Sequence, residues 1–359
     1  MADVTETMEW GSCWLDAGPL PDAIAADVRQ ATGGVVPGWA RRLARVPWVV
    51  RSFARFVDRR VAFMPPGLWD LISLVVSQDN SCRYCYGAMR TMLKIQGYSD
   101  AAIDGLERDV HLAEISPAEQ AALRFARKVS QANPRPVAAD RDTLERVGFS
   151  PPAIAEIAYT AAFQGYPNRL ATLFAMPTEA FARFGDSVLL RLVRPFIAGR
   201  FRAKPQPAIV PPPNDGPCAE VVAALGASPT ARAVRTSIDE ALASPVLPRR
   251  TKLLILGVIG RALGCVRAEA EARGALAAEG FGAADIEGVL ANLDSPKLDA
   301  RERLLVPFAR ETVRYRTGAI QERTRALGET LSGEEVIEAV GITALANSVG
   351  RLSILLETC

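Results

Sequence analysis

The sequence predicts an all-α protein built as two helical units in tandem, and three observations carry that expectation. No segment shows the alternation of a strand, whereas helix-period runs with N-terminal caps recur along the chain. One fixed step, from Cys82 to Cys265, superposes Gly97-Tyr98 on Gly280-Phe281 and Phe125-Ala126-Arg127 on Phe308-Ala309-Arg310. Between the repeats, residues 204–217 read KPQPAIVPPPNDGP, an extended and semi-stiff spacer. The expected boundaries are therefore 1–203 for the first unit, 204–217 for the linker and 218–359 for the second unit.

Composition narrows the function. At 359 residues the chain is long for one domain and sufficient for two. With 49% hydrophobic and 23% charged residues it is an ordinary globular sequence. A net charge of +2 gives no electrostatic reason to expect nucleic acid. The opening MADVTETMEW does not read as a signal peptide, and no apolar run approaches the roughly 20 residues of a membrane span. The expectation is a cytoplasmic protein with no bound cofactor.

The elements follow in order. A short helix is expected near Pro21 to Thr32, then a helical run from Trp39 to Arg60 interrupted at Pro47. Met64-Pro65-Pro66 breaks the chain before a pair of helices. Further helices start at Asp100 and at Pro117, the latter capped by Ser116, and another spans Pro151 to Phe174. Residues 187–204, SVLLRLVRPFIAGRFRAK, combine basic and apolar character; Pro195 and Gly199 interrupt them, so a packing face is expected rather than a membrane-surface helix. At the repeat step Glu119 meets Glu302, and with one deletion Arg169-Leu170 meets Arg351-Leu352.

The chemistry concentrates in WDLISLVVSQDNSCRYCYGAMRTM, residues 69–92. A helical run there meets the polar break Gln78-Asp79-Asn80-Ser81, and Asn80 or Ser81 is placed to cap the helix that follows. Cys82 and Cys85 then share a face at a helix N-terminus, a setting that favours thiolate. Asp70 lies twelve residues before Cys82, as a candidate proton acceptor. Tyr84 and Tyr86 offer hydroxyls, and Arg83 a charge, although packing and solvation account equally well for all three. The other cysteines, Cys13, Cys218, Cys265 and Cys359, form no close pair, so neither a disulfide framework nor a structural zinc site is expected. The single histidine, His111, reads as a surface loop residue.

An acid, a twelve-residue step and CxxC at a helix start resemble the alkyl hydroperoxidase D-like / carboxymuconolactone decarboxylase superfamily. Its redox branch shows Glu, CxxC, and a His four residues after the second Cys; here those positions hold Asp70, Cys82 with Cys85, and Met89. The resemblance implies two tandem alkyl hydroperoxidase D-like domains, a pseudo-dimer in one chain. It implies Cys85 as the attacking thiol and Cys82 as its resolving partner, acting on a peroxide or disulfide substrate with a thiol electron donor. It also implies homo-oligomers, commonly trimers or hexamers. Met89 cannot relay protons, so turnover is expected to be low. In the second unit Asp70 maps to Leu253, Cys85 to Ala268 and Met89 to Ala272, leaving Cys265 as a small buried hydrophobe. The alternatives are a lactone-decarboxylase-type enzyme and a non-catalytic scaffold or redox sensor.

Overall fold

The computed structural model describes residues 9–110, 113–179 and 204–356, and among them the architecture is helical. The first half carries α1 (Asp22–Ala31), α2 (Gly38–Arg42), α3 (Pro47–Val57), α4 (Pro66–Asp79), α5 (Arg83–Gln96), α6 (Asp100–Arg108), α7 (Pro117–Gln131), α8 (Ala138–Arg146) and α9 (Pro151–Leu173). The second carries α10 (Ala219–Ala223), α11 (Pro229–Ala243), α12 (Arg249–Leu263), α13 (Val266–Ala278), α14 (Ala283–Glu287), α15 (Ala300–Glu311), α16 (Thr317–Leu327) and α17 (Gly333–Leu352). Helix α14 runs on into a π-helical turn, Gly288–Asn292.

The helix starts obey local chemistry. Ser116 caps α7 in a reciprocal box with Glu119, and Asp299 does the same for α15 with Glu302. Pro47, expected to interrupt a helix, instead begins α3 at its first position, where a missing N–H costs nothing. Helix α8 was not expected.

Element positions recur at the step seen in the sequence. Helices α4, α5, α6 and α7 begin at Pro66, Arg83, Asp100 and Pro117; α12, α13, α14 and α15 begin at Arg249, Val266, Ala283 and Ala300. The turns recur in detail. Cys82 has φ −86° and ψ 91°, Cys265 φ −82° and ψ 94°. The Cys82 N–H donates to Ser77 O at 3.0 Å, and the Cys265 N–H to Gly260 O at 2.8 Å.

Helices α9 and α17 are buried on nearly every side and pack against each other at the centre. Two buried arginines cross this junction in opposite senses. Arg169 of α9 donates to Thr312 O at 3.2 Å, beyond the end of α15, while Arg351 of α17 donates to Ser130 O at 2.6 Å, in the last turn of α7. Two buried glutamates do likewise. Glu156 of α9 accepts from the amides of Ala62, Phe63 and Met64, each at 2.8 Å, and from Ser228 Oγ at 2.6 Å. Glu338 of α17 accepts from Trp48 Nε1 at 3.1 Å, from the Leu247 amide at 2.7 Å, and pairs with Lys252 at 3.0 Å.

The expectation of no strand needs a small correction. Arg60–Val61 (β1) pairs in parallel with Lys204–Pro205 (β2), in register Arg60 with Lys204 and Val61 with Pro205. The Gln206 amide donates to Val61 O at 2.8 Å, and the Ile209 amide to Ala227 O at 2.7 Å. The proline-rich stretch is thus bonded both to a residue before it, Val61, and to one after it, Ala227. Most of the basic apolar stretch 187–204, and His111, lie outside the described residues.

Candidate functional site

The cysteine turn is made by backbone geometry. Helix α4 ends at Asp79, and Ser81 then adopts φ 49°, the left-handed region that bends the chain back. The corresponding position in the second half is Gly264, at φ 63°. Neither Asn80 nor Ser81 caps α5. Cys82 itself is the cap residue, and its Sγ accepts the Cys85 amide N–H at 3.3 Å. The two thiols are therefore brought together at one helix N-terminus, and both are free.

Burial changes their chemistry. Cys82 is 0% exposed and Cys85 4% exposed. Desolvation pushes the Cys85 thiol well above its ordinary range, and the neighbouring Cys82 pushes it further the same way. The helix N-terminus expected to lower a cysteine pKa does not prevail at Cys85. The amide hydrogen bond of that turn falls on Cys82 Sγ instead.

The expected acid is held by other partners. Asp70 is fully buried near the start of α4, with its Oδ1 3.3 Å from Arg59 Nε and its Oδ2 2.6 Å from Gln96 Nε2. Oδ1 faces Arg59 without hydrogen-bond alignment. Gln96 lies eleven residues beyond Cys85, about 16 Å along α5 at 1.5 Å per residue. Because α4 and α5 run back along each other, the partner that Asp70 meets on α5 lies towards the far end of this hairpin. Burial raises the pKa of Asp70, against the opposing pull of Arg59 and Gln96.

A second acid, not singled out in the sequence, lies closer along the chain. Asp79 ends α4 three residues before Cys82, and 7% of its side chain is exposed. Burial raises its pKa to about 6, against Arg127, whose Nη1 stands 3.3 Å from Oδ1. Its Oδ2 is buried without a hydrogen bond.

The remaining candidates are mostly accounted for by packing. Met89 is half-buried against the core. The Tyr84 hydroxyl donates to Glu179 Oε1 at 2.9 Å, and burial keeps it firmly protonated. Tyr86 accepts from Arg90 Nη1 at 3.2 Å, and Arg90 also pairs with Asp104 at 2.9 Å. Arg83 is half-buried. In the second half Leu253 is core and Cys265 is not the free thiol expected, because it is disulfide-bonded. A cavity of about 480 Å³ opens at the other end of α4 from the cysteines, lined by Phe63, Leu68, Glu119 and Phe149 among others.

No protein family matches the chain, and no curated protein does. Among solved structures it is similar to one from Ralstonia eutropha described as an alkylhydroperoxidase AhpD core, an uncharacterized peroxidase-related protein. The identity is 28%, over 46% of this chain and 90% of that chain, with a TM-score of 0.41.

Proposed function

We propose that the chain is a thiol-dependent oxidoreductase that reduces hydroperoxides or disulfides slowly through Cys82 and Cys85. The observation that carries this reading is the placement of both free sulfurs at the start of α5, with the Cys82 sulfur accepting the Cys85 N–H at 3.3 Å. A thiolate attacks the terminal peroxide oxygen, the O–O bond breaks, and the sulfur becomes a sulfenic acid while an alkoxide leaves and takes up a proton. The second thiol displaces water from the sulfenic acid to close the disulfide. Two electrons from an external dithiol reopen it.

The resemblance implies Cys85 as the attacking sulfur, although burial pushes its thiol up and the amide hydrogen bond of the turn falls on Cys82. Asp70, held by Arg59 and Gln96, supports the hairpin in this proposal, and Asp79 is the acid nearest the thiols along the chain. Oxidant must reach sulfurs that are buried, so a local opening of the turn precedes reaction. That burial, with Met89 in the relay position, also favours a second reading, a redox sensor that closes its disulfide without turning over.

Thiol counting by mass spectrometry before and after limiting hydrogen peroxide tests the proposal, with sulfenic acid trapped in the Cys82→Ser and Cys85→Ser variants. The expected result is a Cys82–Cys85 disulfide in the wild type and trapped sulfenate in one of the two variants. Both thiols remaining free while Cys13 oxidises would refute it. Catalytic loss of peroxide in the presence of a dithiol separates enzyme from sensor.

We infer further that the chain assembles with copies of itself, as the resemblance implies, and that its two halves act as a pseudo-dimer. Light scattering on the purified chain checks the first point. A cytoplasmic location belongs to the same reading, yet a reducing compartment would open the Cys265 disulfide. The state of Cys265 in freshly lysed cells therefore tests the location.

A further inference from the structure

The cavity of about 480 Å³ beside the start of α4 stands where the second half places paired side chains. Its walls include Phe63, Leu68 and Phe149, Ala118 and Glu119 from the first turn of α7, and Ala153 from the first turn of α9. At the repeat step Gly67, Leu68 and Ala118 meet Arg250, Thr251 and Arg301; beyond the one deletion, Ala153 meets Glu335. The helices frame these positions alike. Glu119 forms a capping box with Ser116 as Glu302 does with Asp299, while Ser150 caps α9 as Ser332 caps α17.

In the second half these positions are joined by charge. Arg250 donates from Nε to Glu302 Oε1 at 2.8 Å and from Nη2 to Oε2 at 2.6 Å. Thr251 Oγ1 adds a bond to Oε1 at 3.1 Å, and the Asp299 amide one to Oε2 at 3.1 Å. Arg301 pairs with Glu335 at 2.8 Å. In the first half the same four positions are glycine, leucine, alanine and alanine, and a Cβ added at Gly67 would meet nothing within 4 Å. Glu119 nevertheless keeps its carboxylate. A carboxylate offers about four acceptor sites, and the Glu302 carboxylate has all of them filled. Glu119 accepts only from the Ser116 amide and hydroxyl, each at 2.8 Å and both on Oε2. Among the described residues, nothing donates to its Oε1.

We propose that this cavity binds an organic cation, a guanidinium carried on an apolar body, with Glu119 receiving it as Glu302 receives Arg250. The volume falls within the usual range of small-molecule pockets, roughly 300–1,000 Å³, and exceeds what a guanidinium alone fills. Phe63, Leu68 and Phe149 take the apolar part. A planar cation suits the site better than an ammonium, because the second half shows this carboxylate position accepting two bonds from one fork. Oε1 is open to the first of these bonds, and Oε2 accepts the second once the Ser116 hydroxyl turns away. The site lies at the other end of α4 from the cysteines, and its ligand does not depend on the thiol reading.

Isothermal titration calorimetry of the full chain with phenethylguanidine tests this, with phenethylurea as a neutral control of nearly equal shape. The expected result is one-to-one binding of the guanidine, with the urea roughly ten- to a hundredfold weaker, the span of a hydrogen bond to a charged group. Glu119→Gln keeps the capping box and should bring the guanidine down to the affinity of the urea. Gly67→Arg enters open space, offers Glu119 a guanidinium of the chain's own, and should abolish binding. Circular dichroism checks that both variants fold; where one does not, the two probes on the wild type decide alone. Equal affinity for guanidine and urea, or no guanidine binding at millimolar concentration, overturns the proposal. Undiminished binding by a folded Gly67→Arg protein overturns it as well, since the probe then sits elsewhere.

Discussion

At the scale of single residues, the site holds strain and charge that a well-packed core would avoid. Ser81 occupies the left-handed region at φ 49°, is exposed, and stands where the second half uses Gly264. Ser81→Gly should therefore raise stability by about 0.5–1 kcal/mol in urea denaturation, since glycine reaches this conformation without a Cβ clash. A loss of stability would mean that Ser81 makes the turn by something other than its backbone. Asp79 carries the second tension. With its pKa raised from 3.8 to about 6, the folded state binds this proton more tightly than the unfolded chain. The resulting stability is complete below about pH 4 and is lost as pH rises through 6. Asp79→Asn should then stabilise the fold at pH 7 by on the order of 1–3 kcal/mol and flatten the curve between pH 4 and 6. Denaturation midpoints at four pH values check this; a parallel, unflattened curve would contradict it. Met89→His bears on rate rather than stability. If residue 89 faces the reacting sulfurs, an imidazole there should speed peroxide-driven disulfide closure at least tenfold, within the usual range for a positioned proton carrier. An unchanged rate in a folded variant would place residue 89 outside the reaction.

At the scale of elements, the α4–α5 hairpin explains why some features were legible and others were not. Starts such as Ser116-Pro117 with Glu119 announce themselves because every group involved lies within four residues. The repeat was legible for the same reason, as local turns copied at a constant step. The partners of Asp70 were not legible because counting residues fixes its distance along the chain, while the antiparallel return of α5 is what brings Gln96 beside it. Burial raises the pKa of Asp79, and the opposing pull comes from Arg127, forty-eight residues on, a pairing that spacing along the chain does not reveal. The β1–β2 pairing is two residues long, too short for any alternation to register. The cap of α5 yields a test at this scale. Cys82→Ser keeps an acceptor at the cap and should leave stability within about 0.5 kcal/mol, whereas Cys82→Ala removes the acceptor and should cost about 1 kcal/mol. Both abolish the disulfide, so the pair of variants separates the capping role of this sulfur from its redox role.

At the scale of the whole molecule, the two halves are joined by exchanges that neither can make alone. Arg351 holds the end of α7 and Arg169 the end of α15, while Glu338 receives the Trp48 indole and Glu156 the hydroxyl of Ser228. Reciprocal contacts of this kind are what the pseudo-dimer proposed above requires. Cutting the chain after residue 203 would expose the face of α9 that packs on α17, and would leave Arg169 without Thr312 and Val313 and the indole of Trp48 without its acceptor. A buried guanidinium stripped of its carbonyls, together with a long apolar helix face returned to water, is a severe loss for a unit of this size. The fragment 1–203 should therefore dimerise through α9, replacing the missing half with a second copy, or aggregate. Sedimentation velocity distinguishes these results, and added fragment 204–359 should restore a one-to-one complex. A monodisperse, stable monomer of 1–203 that still closes the Cys82–Cys85 disulfide at the full-length rate would show that the first half does not need the second to cover it.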